Sequence, residues 1–169
     1  MLDASLQKLA SSFNSGNIVL DIFLRSEEAI NPYVGRTYIW LSDDQTHIIG
    51  YYSICTGCIM QDQDGCMLKI GGSVHINDFA VDEKYHGWKM EEDGEEYNLS
   101  DVLLMDCMTR INTLNEQIGF SFITLNSTDR GYSLYKRNGF DEIEDDMFLP
   151  SSKEEEKCRA MYFALEYEL

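Results

Sequence analysis

Basic residues are scarce in this chain. It carries 13 lysines and arginines against 30 aspartates and glutamates, a formal net charge of -17. Affinity for nucleic acid comes largely from Lys and Arg neutralising phosphates, so the charge speaks against a nucleic-acid partner and favours cationic molecules instead. Long apolar runs are missing as well. No stretch approaches the ~18 residues of a membrane span, and Met1 to Asn17 is polar and mixed, without the apolar segment of a signal peptide. A cytosolic protein with no membrane partner is the expectation. Paired cysteines are not indicated either. The five cysteines are an odd number, and in a cytosolic setting they read as reduced thiols. Cys55-Thr-Gly-Cys58 has the spacing of half a zinc site, but it sits in an apolar, strand-like run where residues three apart point to opposite faces. No metal site is expected. Internal repeats and low-complexity tracts are absent.

What is present is the makeup of one globular domain spanning 1–169. The 169 residues suffice for a proper core, and 44% are hydrophobic. Leu2, Leu6, Leu9 and Phe13 stand at helical spacing and predict an amphipathic helix over Met1 to Phe13. Leu20, Phe23 and Leu24 predict a second over Val19 to Ala29, ended by Asn31-Pro32. Thr37 to Leu41 and Ile48 to Met60 read as a hairpin around Ser42-Asp43-Asp44-Gln45. Gly71 to Val81 reads as a strand whose alternation slips at Asn77-Asp78, the sign of a β-bulge that opens it away from a neighbour.

Asp82 to Tyr97 is polar and irregular. Asn98 then caps a helix with Leu103, Cys107, Ile111, Leu114 and Ile118 as its buried stripe. Phe120 to Leu125 follows as a strand parallel to the Val74 strand. Thr128 caps a further helix, closed by Asn138-Gly139. Two strands end the pattern, Ile143 to Leu149 and one carrying Met161, Phe163, Leu165 and Tyr167. The order describes an α/β (α+β) fold: a mixed, mostly antiparallel central sheet with a splayed parallel strand pair and flanking helices.

Several segments form an ordered set: Phe13-Asn14-Ser15-Gly16-Asn17 with Asp21-Ile22-Phe23-Leu24-Arg25, then Gly50-Tyr51-Tyr52-Ser53. Phe79-Ala80-Val81-Asp82 and Tyr135-Lys136-Arg137-Asn138-Gly139-Phe140 complete it over about residues 13 to 150. Taken in order, the set resembles the GNAT superfamily of N-acetyltransferases, closest to the branch containing tRNA-acetylating toxins. The resemblance implies acetyl-CoA as cofactor. It implies that the parted strands admit the pantetheine arm against the backbone of Phe79, Ala80 and Val81. Backbone N–H groups of a glycine loop and the next helix N-terminus would hold the pyrophosphate. That loop begins here with Tyr85, His86 and Gly87.

Trp88 to Tyr97 then interrupts the loop. Counting back from Leu103-Leu104 places the family's two glycines near Asn98 and Ser100, with Leu99 between them, so the loop is longer by roughly nine residues. Glu91, Glu92, Asp93, Glu95 and Glu96 would stand near the pyrophosphate, where two like charges ~4 Å apart at an effective dielectric of ~20 repel by about 4 kcal/mol. If the insertion bulges into solvent, Lys84, His86 and Lys89 are the residues that such a loop could turn toward phosphate.

By the same resemblance Tyr135 holds the position of the general acid that protonates the leaving thiolate. Asp78 and His75 lie near the bulge as candidate proton acceptors, and Asn126 and Tyr132 as contacts for the arm. Three functions follow. The first is an N-acetyltransferase acting on a small or peptidic, cationic amine. The second is a tRNA-directed toxin with an antitoxin partner, which the acidic charge opposes. The third is a catalytically silent binding protein, which the insertion favours. The sequence leaves room for a homodimer.

Overall fold

Asp3 sets the first turn. Its carboxylate accepts from the N–H groups of Ser5 and Leu6 and from the Ser5 hydroxyl, a local alternative to helical bonding. In the computed structural model, which describes residues 1–92, 94–150 and 158–165, the segment predicted as an α-helix is therefore turns followed by a 3-10 helix, Gln7–Ser12. Helix α1, Ile18–Arg25, starts where the Asn17 side chain accepts from Val19 N–H at 3.0 Å. Ser26 is extended and breaks the predicted second helix, which resumes as a 3-10 turn, Glu27–Ile30.

Strand β1, Arg36–Leu41, pairs antiparallel with the start of β2, Ile48–Gln63, as the hairpin reading required. Strand β3, Cys66–Val81, is longer than predicted. Asp64 and Gly65, with φ of 54° and 83°, form the two-residue turn that joins β2 to it. Strands β4, Lys89–Glu92, and β5, Glu95–Asn98, form a small antiparallel sheet of their own where an irregular segment was expected. Asp93 lies outside the described residues. Helix α2, Leu99–Asn115, buries Leu103, Cys107 and Ile111, but Ile118 lies past its end and is exposed.

Strand β6, Phe122–Ser127, runs parallel to β3, as predicted. Helix α3, Tyr132–Arg137, closes with Gly139 at φ 88°, Phe140 N–H on the Tyr135 carbonyl and Gly139 N–H on that of Lys136, the Schellman arrangement. The strand predicted over Ile143 to Leu149 is replaced by two short pieces. These are β7, Asp141–Glu142, beside β9, Arg159–Ala164, and β8, Met147–Phe148, beside β2. Tyr167, assigned to the last strand, lies outside the described residues. The main sheet has the order β1-β2-β3-β6-β9-β7 with β8 on β2. Among the described residues no helix is long and apolar enough to cross a membrane.

The chain packs as two compact units, Met1–Cys55 with Asn77–Cys107, and Thr56–Ile76 with Met108–Leu169. The first is built around Leu2, Ala10, Phe13, Leu24, Ala29, Ile48, Tyr51 and Ala80. Each large apolar side chain buried there contributes about 1.5–3 kcal/mol. The early motif has its physical reason in this unit. Buried Asp21 accepts from the Ser15 N–H at 2.9 Å and its hydroxyl at 2.7 Å. Arg25 donates to the carbonyls of Ala10 and Phe13. Tyr51 donates to the Leu20 carbonyl at 2.8 Å, with its ring edge-on to Phe13. These residues hold the N-terminal loop on α1. In the second unit Val74, Ile76, Ile123, Leu125, Phe140 and Met161 are buried, and Phe140 meets the rings of Tyr135 and Phe163.

Candidate functional site

The parallel register of β3 and β6 is short. It runs Ser73↔Phe122, Val74↔Ile123, His75↔Thr124 and Ile76↔Leu125, and stops there. Both strands go on, β3 to Val81 and β6 to Ser127. Three polar side chains meet along this register. Thr124 Oγ1 lies 3.0 Å from His75 Nδ1 and 3.1 Å from Ser73 Oγ. Burial holds the imidazole well below the ordinary histidine range, at about 4, so it is neutral at pH 7. A Cβ on Gly57 would meet Ser73 Oγ at 2.9 Å and His75 Cβ at 3.4 Å, so glycine there keeps room for the hydroxyl and the ring.

Of the other residues singled out in this unit, Tyr135 is buried with its ring edge-on to Phe140 at 5.7 Å. Asn126 sits on β6 opposite Ala160 of β9. The Tyr132 hydroxyl donates to Glu142 at 2.6 Å, and its ring lies under the Arg159 guanidinium at 4.5 Å. Arg159 also binds Asp129. Tyr132 is thus engaged in a surface ion cluster.

In the first unit the slip expected at Asn77-Asp78 gives a mixed burial pattern. Ala80 and Val81 are both buried and Phe79 is half-buried, so Val74, Ile76 and Ala80 keep one parity while Val81 departs from it. Asp78 reaches the surroundings of Tyr51 and Cys55. Burial raises both of those groups first, and the Asp78 carboxylate adds to each. The Cys55 thiol lies 3.2 Å from Asn77 Oδ1.

After β3, Asp82 caps a 3-10 turn, Glu83–Tyr85, by accepting from Lys84 N–H at 3.0 Å and also accepts from Asn14 N–H. Several groups expected to face phosphate are used internally. The Tyr85 hydroxyl bonds His47 Nε2, and the His86 ring bonds the Val81 carbonyl at 2.9 Å. Lys89 pairs with Glu96. Gly87 has φ 78°, and nothing stands within 4 Å of where a side chain would begin.

The inserted segment is a self-closing hairpin. Lys89 pairs with Asn98 at its base, and Leu99 N–H donates to the Trp88 carbonyl at 3.0 Å. Leu99 and Ser100 are already helical and Asn98 is the last strand residue, its side chain donating to Asp101 at 2.8 Å. The loop therefore runs Tyr85-His86-Gly87-Trp88 and then straight into α2. Glu91↔Glu96 and Glu92↔Glu95 stand two and three residues along the hairpin, about 7 and 10 Å from its base at strand rise. Those backbone separations are comparable with the Debye length of about 8 Å, over which charge interactions weaken. The repulsion of about 4 kcal/mol belongs to like charges in contact at ~4 Å.

Sequence reading missed Thr124, Ser73 and Gly57. Their grouping depends on the pairing of three strands, and no motif announces it. It also missed His47, which reaches Tyr85 from the turn between β1 and β2.

This topology, with a short parallel pair in a mostly antiparallel sheet and a loop running into a helix after the central strand, is the GNAT fold that the sequence resembles. No family model matches the chain. Among solved structures, a bacterial toxin matches 97% of this chain and 85% of its own, with a TM-score of 0.69 at 15% identity. AtaTR bound with AcCoA matches 90% of this chain and 84% of its own, with a TM-score of 0.68 at 19% identity. AtaT complexed with acetyl-methionyl-tRNAfMet matches 92% and 86%, with a TM-score of 0.65 at 18% identity. At these identities the likeness is one of fold.

Proposed function

We propose that the chain is an N-acyltransferase that moves the acetyl group of acetyl-CoA to the amine of a cationic small or peptidic acceptor. The observation that carries this reading is the parallel register ending at Ile76↔Leu125 while both strands continue, in a fold shared with AtaTR bound with AcCoA. Fold alone does not fix function. The second support is the loop, where Gly87 has φ 78° and the inserted segment pairs with itself as a hairpin.

In this reading the backbone of Phe79, Ala80 and Val81 holds the pantetheine arm. Tyr85 to Gly87 and the first turn of α2 hold the pyrophosphate through backbone N–H groups. The acceptor amine attacks the acyl carbon, the C–S bond breaks, and the amine becomes an amide. The proton lost by the amine goes to Asp78 or water, and Tyr135 gives one to the thiolate, so free CoA thiol is the second product. The acidic body draws cationic amines toward the protein.

A second reading, an aminoacyl-tRNA acceptor, draws on the fold shared with AtaT complexed with acetyl-methionyl-tRNAfMet, and with it an antitoxin partner. The excess of 30 acidic over 13 basic residues weighs against it. The silent-binder reading loses its main support once the insertion is a hairpin closed at its base.

The test is release of CoA thiol from acetyl-CoA in the presence of polyamines, lysine-rich peptides and aminoacyl-tRNA. Turnover with the cationic amines, reduced ~10²-fold or more in Tyr135→Phe, is expected. Turnover with aminoacyl-tRNA alone would favour the second reading, and none with any acceptor would overturn the proposal.

A further inference from the structure

Three side chains along the parallel register form a hydrogen-bond chain. Ser73 Oγ meets Thr124 Oγ1, and Thr124 Oγ1 meets His75 Nδ1. Ser73 and Thr124 are 4% and 0% exposed. Among the described residues neither hydroxyl has any other hydrogen-bond partner.

Each hydroxyl has one proton to give. If the protons run from Ser73 to Thr124 to His75, both are used and Nδ1 is the acceptor. If they run from Nδ1 through Thr124 to Ser73, the Ser73 proton is left with no acceptor in a buried place. Buried donors without acceptors are rare because they forfeit their hydration and gain nothing. The first direction satisfies every donor. The ring proton of neutral His75 then sits on Nε2, a tautomer assigned from the hydrogen-bond chain.

Nε2 is also the accessible nitrogen. It has no partner among the described residues. Ser53 Oγ is the one buried side-chain oxygen or nitrogen among them that lacks a partner, so His75 Nε2 is not sealed off.

We propose that His75 serves acyl transfer as a hydrogen-bond donor, presenting Nε2–H to the carbonyl oxygen of the acyl thioester, with Thr124 and Ser73 as positioning residues. This reverses the proton-acceptor role that the sequence suggested for His75, and it rests on the acyltransferase reading above. As the amine lone pair adds to the acyl carbon, the carbonyl π pair moves onto oxygen, where a fixed donor stabilises it. When the C–S bond breaks, that pair returns to re-form the carbonyl and the sulfur leaves with the bonding electrons. His75 itself neither gains nor loses a proton. A histidine kept neutral by its surroundings suits this work, because its N–H polarises a carbonyl without an acid–base cycle.

Two measurements test the proposal. Long-range 1H–15N spectra of the whole protein at pH 7 report which nitrogen of His75 is protonated, with or without activity. Nε2–H is expected, and Nδ1–H would overturn the inference. Thr124→Val should shift the spectrum toward a mixture of tautomers, and Thr124→Ser should restore it. An unchanged spectrum in Thr124→Val would remove Thr124 from the positioning role.

In the CoA-release assay, His75→Gln retains a side-chain N–H but no titrating base. It should keep turnover within about tenfold of the parent, while His75→Ala loses ~10²-fold or more. Equal losses in the two variants would mean a proton acceptor and contradict the proposal. No turnover in the parent protein would sink the acyltransferase reading and the thioester role together. Nδ1–H in a protein that does turn over would sink this inference alone.

Discussion

The Leu99 N–H donates to the Trp88 carbonyl at 3.0 Å, so the chain leaves the loop after β3 and rejoins it at one place. Everything between the two residues is an appendage on a loop that is otherwise continuous with α2.

Replacing Met90–Tyr97 by Gly-Gly, with Lys89 and Asn98 kept as the pair at the base, should therefore leave a folded protein. A two-residue glycine turn suits a hairpin of that size. The thermal midpoint is expected to move by less than about 4 °C, the equivalent of roughly 1 kcal/mol in a chain of this length. Affinity for acetyl-CoA should hold or rise as Glu91, Glu92, Glu95 and Glu96 leave. A drop of more than about 10 °C would mean that the hairpin supports the fold.

Asp21→Ala should destabilise the first unit by about 2 kcal/mol, read as a lower urea midpoint at unchanged slope. Both the Ser15 N–H and its hydroxyl lose their acceptor in a buried site. Asp21→Asn keeps one acceptor oxygen and should recover part of the loss.

Gly50→Ala should cost about 1–3 kcal/mol. The new Cβ would stand 3.0 Å from the Ala80 carbonyl oxygen and 2.8 Å from a Leu103 methyl. The leucine can turn aside, but the backbone oxygen of β3 cannot. Equilibrium unfolding of this variant beside Gly119→Ala, where no atom lies within 4 Å, gives the contrast.

Acid should weaken the fold through His75. Its folded value of about 4 lies below the ordinary 6.5. Below pH 6.5 the unfolded chain therefore binds a proton that the folded chain refuses. The stability contributed by the neutral ring is complete above about pH 6.5. It falls as the pH drops toward 4 and then levels off. The full difference is at most about 3 kcal/mol, and the opening at Nε2 reduces it. Subtracting the pH profile of His75→Gln from that of the parent isolates this slope from the carboxylates. A flat difference between pH 4 and 6.5 would contradict the assignment.

Much of the architecture was legible because helices and strands leave periodic marks. The β1–β2 hairpin, the parallel placement of β6 and the glycine closure of α3 at Gly139 all followed from alternation and turn chemistry. The first helix failed because Asp3 captures the turn that leucine spacing assigned to an α-helix. The β2–β3 turn at Asp64-Gly65 carried a standard hairpin signal that the reading passed over. The β4–β5 hairpin was missed because half of its strand residues are glutamates, which have low strand propensity. For the candidate site, sequence order pointed to His75, Tyr135 and the loop at Gly87. It could not supply Thr124, because a hydroxyl on β6 becomes the partner of His75 only through the register. Nor could it supply the Glu142 and Arg159 contacts that Tyr132 makes.

The most direct measurement is isothermal titration of the full chain with acetyl-CoA. The account predicts saturable binding of one molecule per chain in the micromolar range, about -8 kcal/mol. Absence of binding at millimolar acetyl-CoA would contradict it.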